Sequence, residues 1–211
     1  MPELVHTEKG LALRQGNMEL RGDFEPLLRR LRPQNLSHEL LVRAARVKGV
    51  DHPRAVDATA GLGEDSLLLA AAGFFVELYE RDETIAALLR DALERASCHP
   101  QLAPIVARME LHEADSVLAL REMQHAPHVV LLDPMFPERK KSSSVKKKLQ
   151  LIQLLERPCS NESELLDAAV APHPQKVVIK RPAKGAPLAG VRPSYSLSGK
   201  AVRYDVIVVP R

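Results

Sequence analysis

The fold is decided by one stretch of the chain, AVDATAGLGEDSLLLA at residues 55–70. Its first two residues are apolar and typical of a short buried strand, and its last part predicts a helix from Ser66 to Ala72. Between them, Gly61 and Gly63 permit a tight turn and a close backbone approach to a ligand at the helix N-terminus. Strand, glycine loop and helix in this order indicate the ligand-binding edge of an α/β sheet.

The alternation of strands and helices continues along the chain. Short apolar runs predict further strands at residues 74–79, 110–112, 128–132 and 176–179. Helical patterns separate or follow them at residues 84–96, 117–124, 146–155 and 163–169. A final strand at 204–209 has no helix before it, so we expect it to pair antiparallel with residues near 194–197. The prediction is a doubly wound, mostly parallel α/β sheet with an antiparallel C-terminal strand.

The N-terminal part has a different pattern. Residues 10–14 and 18–21 flank a turn-forming Gln15-Gly16-Asn17, which predicts a β-hairpin. A helix is predicted over residues 36–48, with Ser37 as its N-cap. We therefore divide the chain into a small hairpin extension at residues 1–35 and a main domain at residues 36–211.

Composition narrows the class of protein. The 211 residues are 45% hydrophobic and 27% charged, which is typical of a globular domain. Cys98 and Cys159 lie in unrelated segments, so we expect neither a structural zinc site nor another metal centre. There is no apolar run of the roughly 20 residues that span a membrane and no secretion signal at the N-terminus. We expect a soluble cytoplasmic protein without membrane partners.

Acidic residues surround the glycine loop. Asp57, Glu64 and Asp65 would repel the pyrophosphate of a dinucleotide, and Ser66 stands where the third glycine of a dinucleotide fingerprint belongs. A nicotinamide cofactor is therefore disfavoured. Three carboxylates suit a cofactor that carries a positive charge and an ammonium group.

Two later strands also end in acids. Glu80, followed by Arg81, comes about 20 residues after the glycines, where a carboxylate accepts hydrogen bonds from ribose hydroxyls. After the third strand, Asp115 and Ser116 allow two interpretations that do not exclude each other: they receive an adenine amine, or they cap the following helix.

The fourth strand ends in Asp133-Pro134-Met135-Phe136-Pro137. Two prolines stiffen this loop, so that Asp133 and a nearby carbonyl can accept the two hydrogens of an exocyclic amine. Phe136 is placed to stack on a nucleobase, a contact worth roughly 1–3 kcal/mol. Methylation of such an amine needs orientation of its lone pair rather than a strong base. We therefore predict catalytic roles for Asp133, Pro134 and Phe136.

Four stretches together resemble the RsmJ-type family: residues 57–63, Glu80-Arg81, residues 133–137 and residues 178–182. The resemblance implies a class I, Rossmann-like fold with a seven-stranded sheet. It also implies S-adenosylmethionine-dependent methylation of a guanine N2 amine in small-subunit (16S) ribosomal RNA. The S-adenosylmethionine contacts that it implies are at Glu64-Asp65, Glu80-Arg81, Asp115-Ser116 and Asp133.

The chain departs from the RsmJ-type pattern at two of these positions. Glu64 replaces the family's usual arginine, and Asp115 replaces its usual serine, so that both changes add negative charge beside the cofactor. The N-terminal extension that the family commonly carries is also expected to be missing. A different RNA site with the same cofactor is compatible with these departures.

Basic residues follow the predicted substrate loop and the fifth strand. We predict that they bind ribosomal RNA in the small subunit beside a flipped-out nucleotide. They are Arg139, Lys140, Lys141, Lys146, Lys147, Lys148, Lys180 and Arg181.

Two other functions stay open at this point. The same chemistry could act on adenine or cytosine in DNA or on a protein glutamine, although no target-recognition domain for DNA is evident. Alternatively, the chain is a non-catalytic cofactor-binding RNA module or ribosome-assembly factor, which the acidic Glu64 and Asp115 would favour.

Overall fold

The computed structural model describes residues 2–134 and 161–210. Its strands are β1 (Glu3–Thr7), β2 (Gly10–Gln15), β3 (Met18–Leu20), β4 (Arg54–Asp57), β5 (Phe75–Tyr79), β6 (Met109–His112), β7 (Val129–Leu132), β8 (Lys176–Pro182), β9 (Tyr195–Ser198) and β10 (Val202–Val208). Its helices are α1 (Pro33–Leu36), α2 (Leu40–Ala45), α3 (Glu64–Ala71), α4 (Glu83–Ser97), α5 (Ala103–Val106), α6 (Ser116–Glu122) and α7 (Glu162–Val170). The helix predicted at residues 146–155 lies outside the described residues.

The described strands from β4 onward form one seven-stranded sheet in the order β6-β5-β4-β7-β8-β10-β9. The first five are parallel, and β10 pairs antiparallel with both β8 and β9. This confirms the predicted mostly parallel sheet with an antiparallel C-terminal strand. The strand order reverses between β4 and β7, so that their carboxyl ends border the crevice where such sheets bind ligands.

The sheet is buried on both faces, as strand β7 shows. Val129 and Leu131 pack into the core on one face, Val130 and Leu132 into the core on the other, and all four are 0% exposed. Because successive side chains of a strand point to opposite faces, a continuous apolar run is what a strand covered on both faces requires.

The N-terminal residues form a three-stranded antiparallel sheet, β1-β2-β3. The predicted hairpin is confirmed as β2 and β3, whereas β1, which pairs with β2, is not predicted by the sequence pattern. Leu13 and Leu20 of this sheet pack against Leu88 of α4, so it lies against the main domain. The domain boundary at residue 35 stays a prediction.

The prediction of one helix over residues 36–48 was wrong, because two short helices occupy this region. Ser37 is not an N-cap: it follows the last residue of α1, and its N–H donates to the Pro33 carbonyl at 3.3 Å. Glu39 is extended and precedes α2. In this conformation its carboxylate accepts two hydrogen bonds from Arg30, each at 2.8 Å. None of the helices in the described ranges has the length and apolar character that crossing a bilayer needs.

Candidate active site

The loop after β4 is shaped by its two glycines. Gly61 and Gly63 have φ angles of +53° and +76°, a region that other residues rarely adopt. Gly63 directly precedes α3, and a Cβ built on it would lie 2.7 Å from Cδ1 of Leu89. The loop therefore depends on glycine here both for its backbone conformation and for the space against α4.

Asp57 holds this loop from beneath. Its side chain is buried, with Oδ1 accepting from the Thr59 N–H at 3.1 Å and Oδ2 from the Ser66 hydroxyl at 2.6 Å. Burial raises the pKa of Asp57 to about 7, although both hydrogen bonds oppose the shift. Asp57 therefore shapes the loop from inside the fold, and its contact with the cofactor stays a prediction.

Asp57→Asn is expected to change how stability depends on pH. Between the ordinary pKa of 3.8 and about 7, folded Asp57 binds a proton that the unfolded chain releases. Rising pH therefore destabilises the wild type in this window, whereas the amide of the variant does not titrate and contributes no such loss. Thermal unfolding from pH 4 to pH 8 should show the variant gaining relative stability, on the order of 1.4 kcal/mol per pKa unit.

Ser66→Ala provides the matched comparison for Asp57. It removes a hydrogen bond that lowers the pKa of Asp57, so the pH-dependent loss of stability should extend to higher pH. A constant difference between wild type and Asp57→Asn across the pH range would contradict this account of Asp57.

Glu80 lies at the end of β5 and faces the glycine loop. Its Oε2 accepts from the Gly61 N–H at 3.0 Å and its Oε1 from the Asp82 N–H at 2.9 Å. Burial raises the pKa of Glu80. These backbone hydrogen bonds orient the carboxylate, and its remaining lone pairs can accept from ribose hydroxyls.

Asp115 caps α6 through hydrogen bonds from the N–H groups of Val117 and Leu118. One of the two sequence interpretations is thus observed, while the contact to an adenine amine stays a prediction. Ser116 is the first residue of α6, and exposed Arg81 lies 4.0 Å from the Asp115 carboxylate. Glu64 is exposed in the first turn of α3.

Asp133 is held at the end of β7 by two different contacts. Its N–H donates to the Thr59 hydroxyl at 2.6 Å, which ties the substrate loop to the glycine loop. Its Oδ2 lies 2.8 Å from Nζ of Lys180, and its side chain is 38% exposed. Burial raises the pKa of Asp133, which Asp65 also raises and Lys180 lowers. Pro134 is buried, and Phe136 lies outside the described residues.

Lys180 is part of the site rather than of an outer basic surface. Its Nζ lies 2.8 Å from Asp65 Oδ2 as well as from Asp133 Oδ2. Burial disfavours the ammonium, but the two carboxylates outweigh it and hold the pKa of Lys180 above its ordinary value. The RNA contact of Lys180 stays a prediction, whereas its pairing with two acids was not predicted, because the partners of a lysine are not visible in a linear pattern.

Arg181 points to the opposite face of the sheet. Its guanidinium, 6% exposed, donates to Glu162 and to the carbonyl of Ala186. Adjacent residues of a strand face opposite sides, which explains why Lys180 and Arg181 lie in different surroundings. This burial favours a structural role for Arg181 over the predicted RNA contact. The other predicted RNA-binding residues, from Arg139 to Lys148, lie outside the described ranges.

A cavity of about 240 Å³ opens beside the cluster formed by Lys180, Asp65 and Asp133. Tyr204 lines it and is the register partner of Lys180 on the neighbouring strand. The cavity is further bordered by Arg30, Asn35, His38, Glu39, Leu40 and Val202. The sequence pattern does not single out Tyr204 or Thr59; Thr59 is marked only by its place in the glycine loop and Tyr204 only by its place in the C-terminal strand.

Comparison with known proteins decides the family. The family described as "Putative SAM-dependent methyltransferase" matches residues 2–209. The chain belongs to this methyltransferase family. Among the described residues, no group of three or more His, Cys, Asp or Glu side chains is arranged to hold a metal ion.

Several curated relatives of this methyltransferase are named ribosomal RNA small subunit methyltransferase J. The protein of that name from Thioalkalivibrio sulfidiphilus is 45% identical over 82% of this chain and 69% of its own length. The one from Alkalilimnicola ehrlichii is 43% identical over 96% of this chain and 81% of its own length. The chain spans 66% of the Pseudomonas aeruginosa relative, which is 46% identical.

Solved structures agree with this methyltransferase fold. A SAM-dependent methyltransferase from Neisseria gonorrhoeae is 31% identical with a TM-score of 0.78, over 99% of this chain and 83% of the other. The rRNA methyltransferase AviRa from Streptomyces viridochromogenes, 19% identical with a TM-score of 0.51 over 83% of this chain and 84% of the other, shows the fold alone.

The residues of this methyltransferase fit S-adenosylmethionine, the cofactor of its family. A Cβ at Gly63 would crowd the loop, whereas the carboxylates of Glu80 after β5 and Asp133 after β7 can supply acceptors, and Glu64 and Asp65 of α3 add negative charge. This donor set matches a ligand with two ribose hydroxyls, an ammonium and a sulfonium, and it is unfavourable for a pyrophosphate.

Proposed function

We propose that this protein methylates the N2 amine of a guanine in small-subunit ribosomal RNA in the cytoplasm, with S-adenosylmethionine as methyl donor. One observation carries the proposal: the Asp133 carboxylate stands beside the glycine loop, and one of its oxygens makes no hydrogen bond to the part of the chain that the structure describes. Relatives named ribosomal RNA small subunit methyltransferase J, 43–47% identical to this chain, support the choice of RNA.

The protein's task in this reaction is to orient the exocyclic amine of the substrate. Oδ2 of Asp133 contacts Lys180, while Oδ1 makes no hydrogen bond within residues 2–134 and 161–210. Oδ1 is therefore available to accept a hydrogen of the exocyclic amine, and the carbonyl of buried Pro134 is a candidate acceptor for the second hydrogen. These hydrogen bonds aim the nitrogen lone pair, and the amine can lose its proton after methylation.

S-adenosylmethionine would supply the electrophilic methyl group, which is bonded to its sulfonium sulfur. Glu80 would accept from its ribose hydroxyls, since the carboxylate is held by Gly61 and Asp82. Asp115 would receive its adenine amine, and Asp65 would face its positive charge. Glu64 lies exposed at the start of α3 and adds negative charge on the same side of the cofactor.

The RNA backbone would be bound by the basic residues between Arg139 and Lys148, which follow the substrate loop directly in the sequence. The cavity lined by Tyr204, Arg30 and His38 would receive part of the same nucleotide, because Tyr204 pairs in register with Lys180, which contacts Asp133.

Reversing Lys146, Lys147 and Lys148 to glutamate is expected to weaken RNA binding at least about 10-fold and to flatten its salt dependence. Each lost phosphate contact lowers the number of released counterions. Filter binding at several salt concentrations measures both quantities. Equal affinity and slope for variant and wild type would show these lysines to be a solvated surface only.

The proposed function is tested with radiolabelled S-adenosylmethionine offered to small ribosomal subunits, naked ribosomal RNA, DNA and a protein extract in parallel. Nucleoside analysis should find the label as N2-methylguanosine from a ribosomal substrate. Label in DNA or protein would discard the RNA substrate and keep the methyltransferase. Cofactor binding without any transfer would favour the non-catalytic RNA module.

A further inference from the structure

Three elements bring charged side chains together at the crevice. Nζ of Lys180, at the end of β8, lies 2.8 Å from Asp65 in the first turn of α3 and 2.8 Å from Asp133 after β7. The lysine side chain is only 26% exposed, so few of its hydrogen-bonding directions are left for another anion. The cation therefore joins the cofactor loop to the residue that faces the substrate.

The positive charge of Lys180 offsets the negative charge of several carboxylates that lie close together in the crevice. Asp57 at the end of β4 and Asp65 both act electrostatically on the same region as Asp133, and the phenol of Tyr204 faces Lys180 from β10. Arg30, before α1, also interacts electrostatically with Asp65 and Tyr204, but its guanidinium is paired with Glu39. Lys180 is thus the cation in direct contact with Asp133 among the described residues.

We infer that Lys180 is a positioning residue for methyl transfer: it holds one oxygen of Asp133 and leaves the other to accept the substrate amine. The inference rests on the proposed function, since it concerns the same carboxylate. Without Lys180, Asp133 would lie beside Asp57 and Asp65 with no cation in direct contact within residues 2–134 and 161–210. A protonated Asp133 is a poorer acceptor, and a rotated one no longer aims the amine.

Lys180→Met is expected to lower kcat by about 100-fold, comparable to the loss of one oriented hydrogen-bonding group in other active sites. The acidic limb of the kcat–pH profile should move to higher pH, since Asp133 binds a proton more readily. Lys180→Arg keeps the positive charge and should leave that limb near its wild-type position. Methyl transfer to small-subunit ribosomal RNA from pH 5 to pH 9 measures both.

Lys176→Met is the matched control. Lys176 lies on the same strand and face, and its Nζ donates to the carbonyls of Ala44 at 3.3 Å and Arg46 at 2.7 Å. Its loss should lower the melting temperature without moving the pH profile. A structural role for Lys180 alone would make the two methionine variants behave alike, which would overturn the inference.

Asp65→Asn gives a second, nearly isosteric test that does not depend on folding of Lys180→Met. It removes a charge that disfavours ionised Asp133, so the acidic limb should move to lower pH, opposite to the Lys180→Met shift. If the wild type is active but the acidic limb of the kcat–pH profile stays in place in both Lys180→Met and Asp65→Asn, the role of Lys180 is overturned. The proposed function is not affected by that outcome. A wild type that methylates no ribosomal RNA would overturn the proposed function itself.

Discussion

Asp133→Ala is expected to reduce methyl transfer to ribosomal RNA by about 100- to 1000-fold, while RNA binding stays close to wild type. The carboxylate is the group that would accept a hydrogen of the amine, and its loss leaves the lone pair without orientation. Lys180 keeps Asp65 as a partner at 2.8 Å, so the variant leaves no unpaired buried cation and should fold.

The measurement combines single-turnover methyl transfer with calorimetry for the cofactor and filter binding for the RNA. Glu164→Ala is the matched control: Glu164 is 43% exposed and paired with Arg121 at 3.2 Å, compared with 38% exposure for Asp133. The control should retain its rate. Asp133→Ala with wild-type turnover would remove Asp133 from the catalytic role and with it the observation that carries the proposed function.

Gly63→Ala is expected to have the largest effect on stability and on cofactor affinity. The φ angle of +76° costs a residue with a side chain about 1–2 kcal/mol. The added Cβ would also lie 2.7 Å from Cδ1 of Leu89, which is 0% exposed, and overpacking of this kind costs about 1–3 kcal/mol. A displaced loop should weaken S-adenosylmethionine binding at least about 10-fold.

Gly16→Ala separates the two causes. Gly16 has a φ angle of +55°, but nothing lies within 4 Å of a Cβ built there. This variant should therefore lose only the backbone contribution, about 1–2 kcal/mol, and keep its affinity for the cofactor. Thermal unfolding and calorimetry compare the two variants directly. The same loss of stability and the same cofactor affinity for both would show that the space at Gly63 is not critical.

The elements that the sequence predicted well are those whose periodicity is set by burial. The central strand β7 was predicted at residues 128–132 because both of its faces enter a core, which demands an unbroken apolar run. The prediction of a single helix over residues 36–48 was wrong because its apolar spacing does not reveal that Glu39 leaves the helical conformation and pairs with Arg30. Local spacing does not encode a contact to a residue nine positions away.

The sequence by itself determined the alternation of β4 to β10 with α3, α4, α6 and α7, the glycine loop and the acids that end β4, β5 and β7. These follow from local periodicity and from the rule that parallel strands present their carboxyl ends at one edge. Only the tertiary structure decided what these acids contact. It paired Asp133 and Asp65 with Lys180, which is distant from both in the chain, and turned Arg181 to the other face. Such pairings depend on strand order and register. Both are set by interactions across the whole sheet and therefore cannot be read from any single segment.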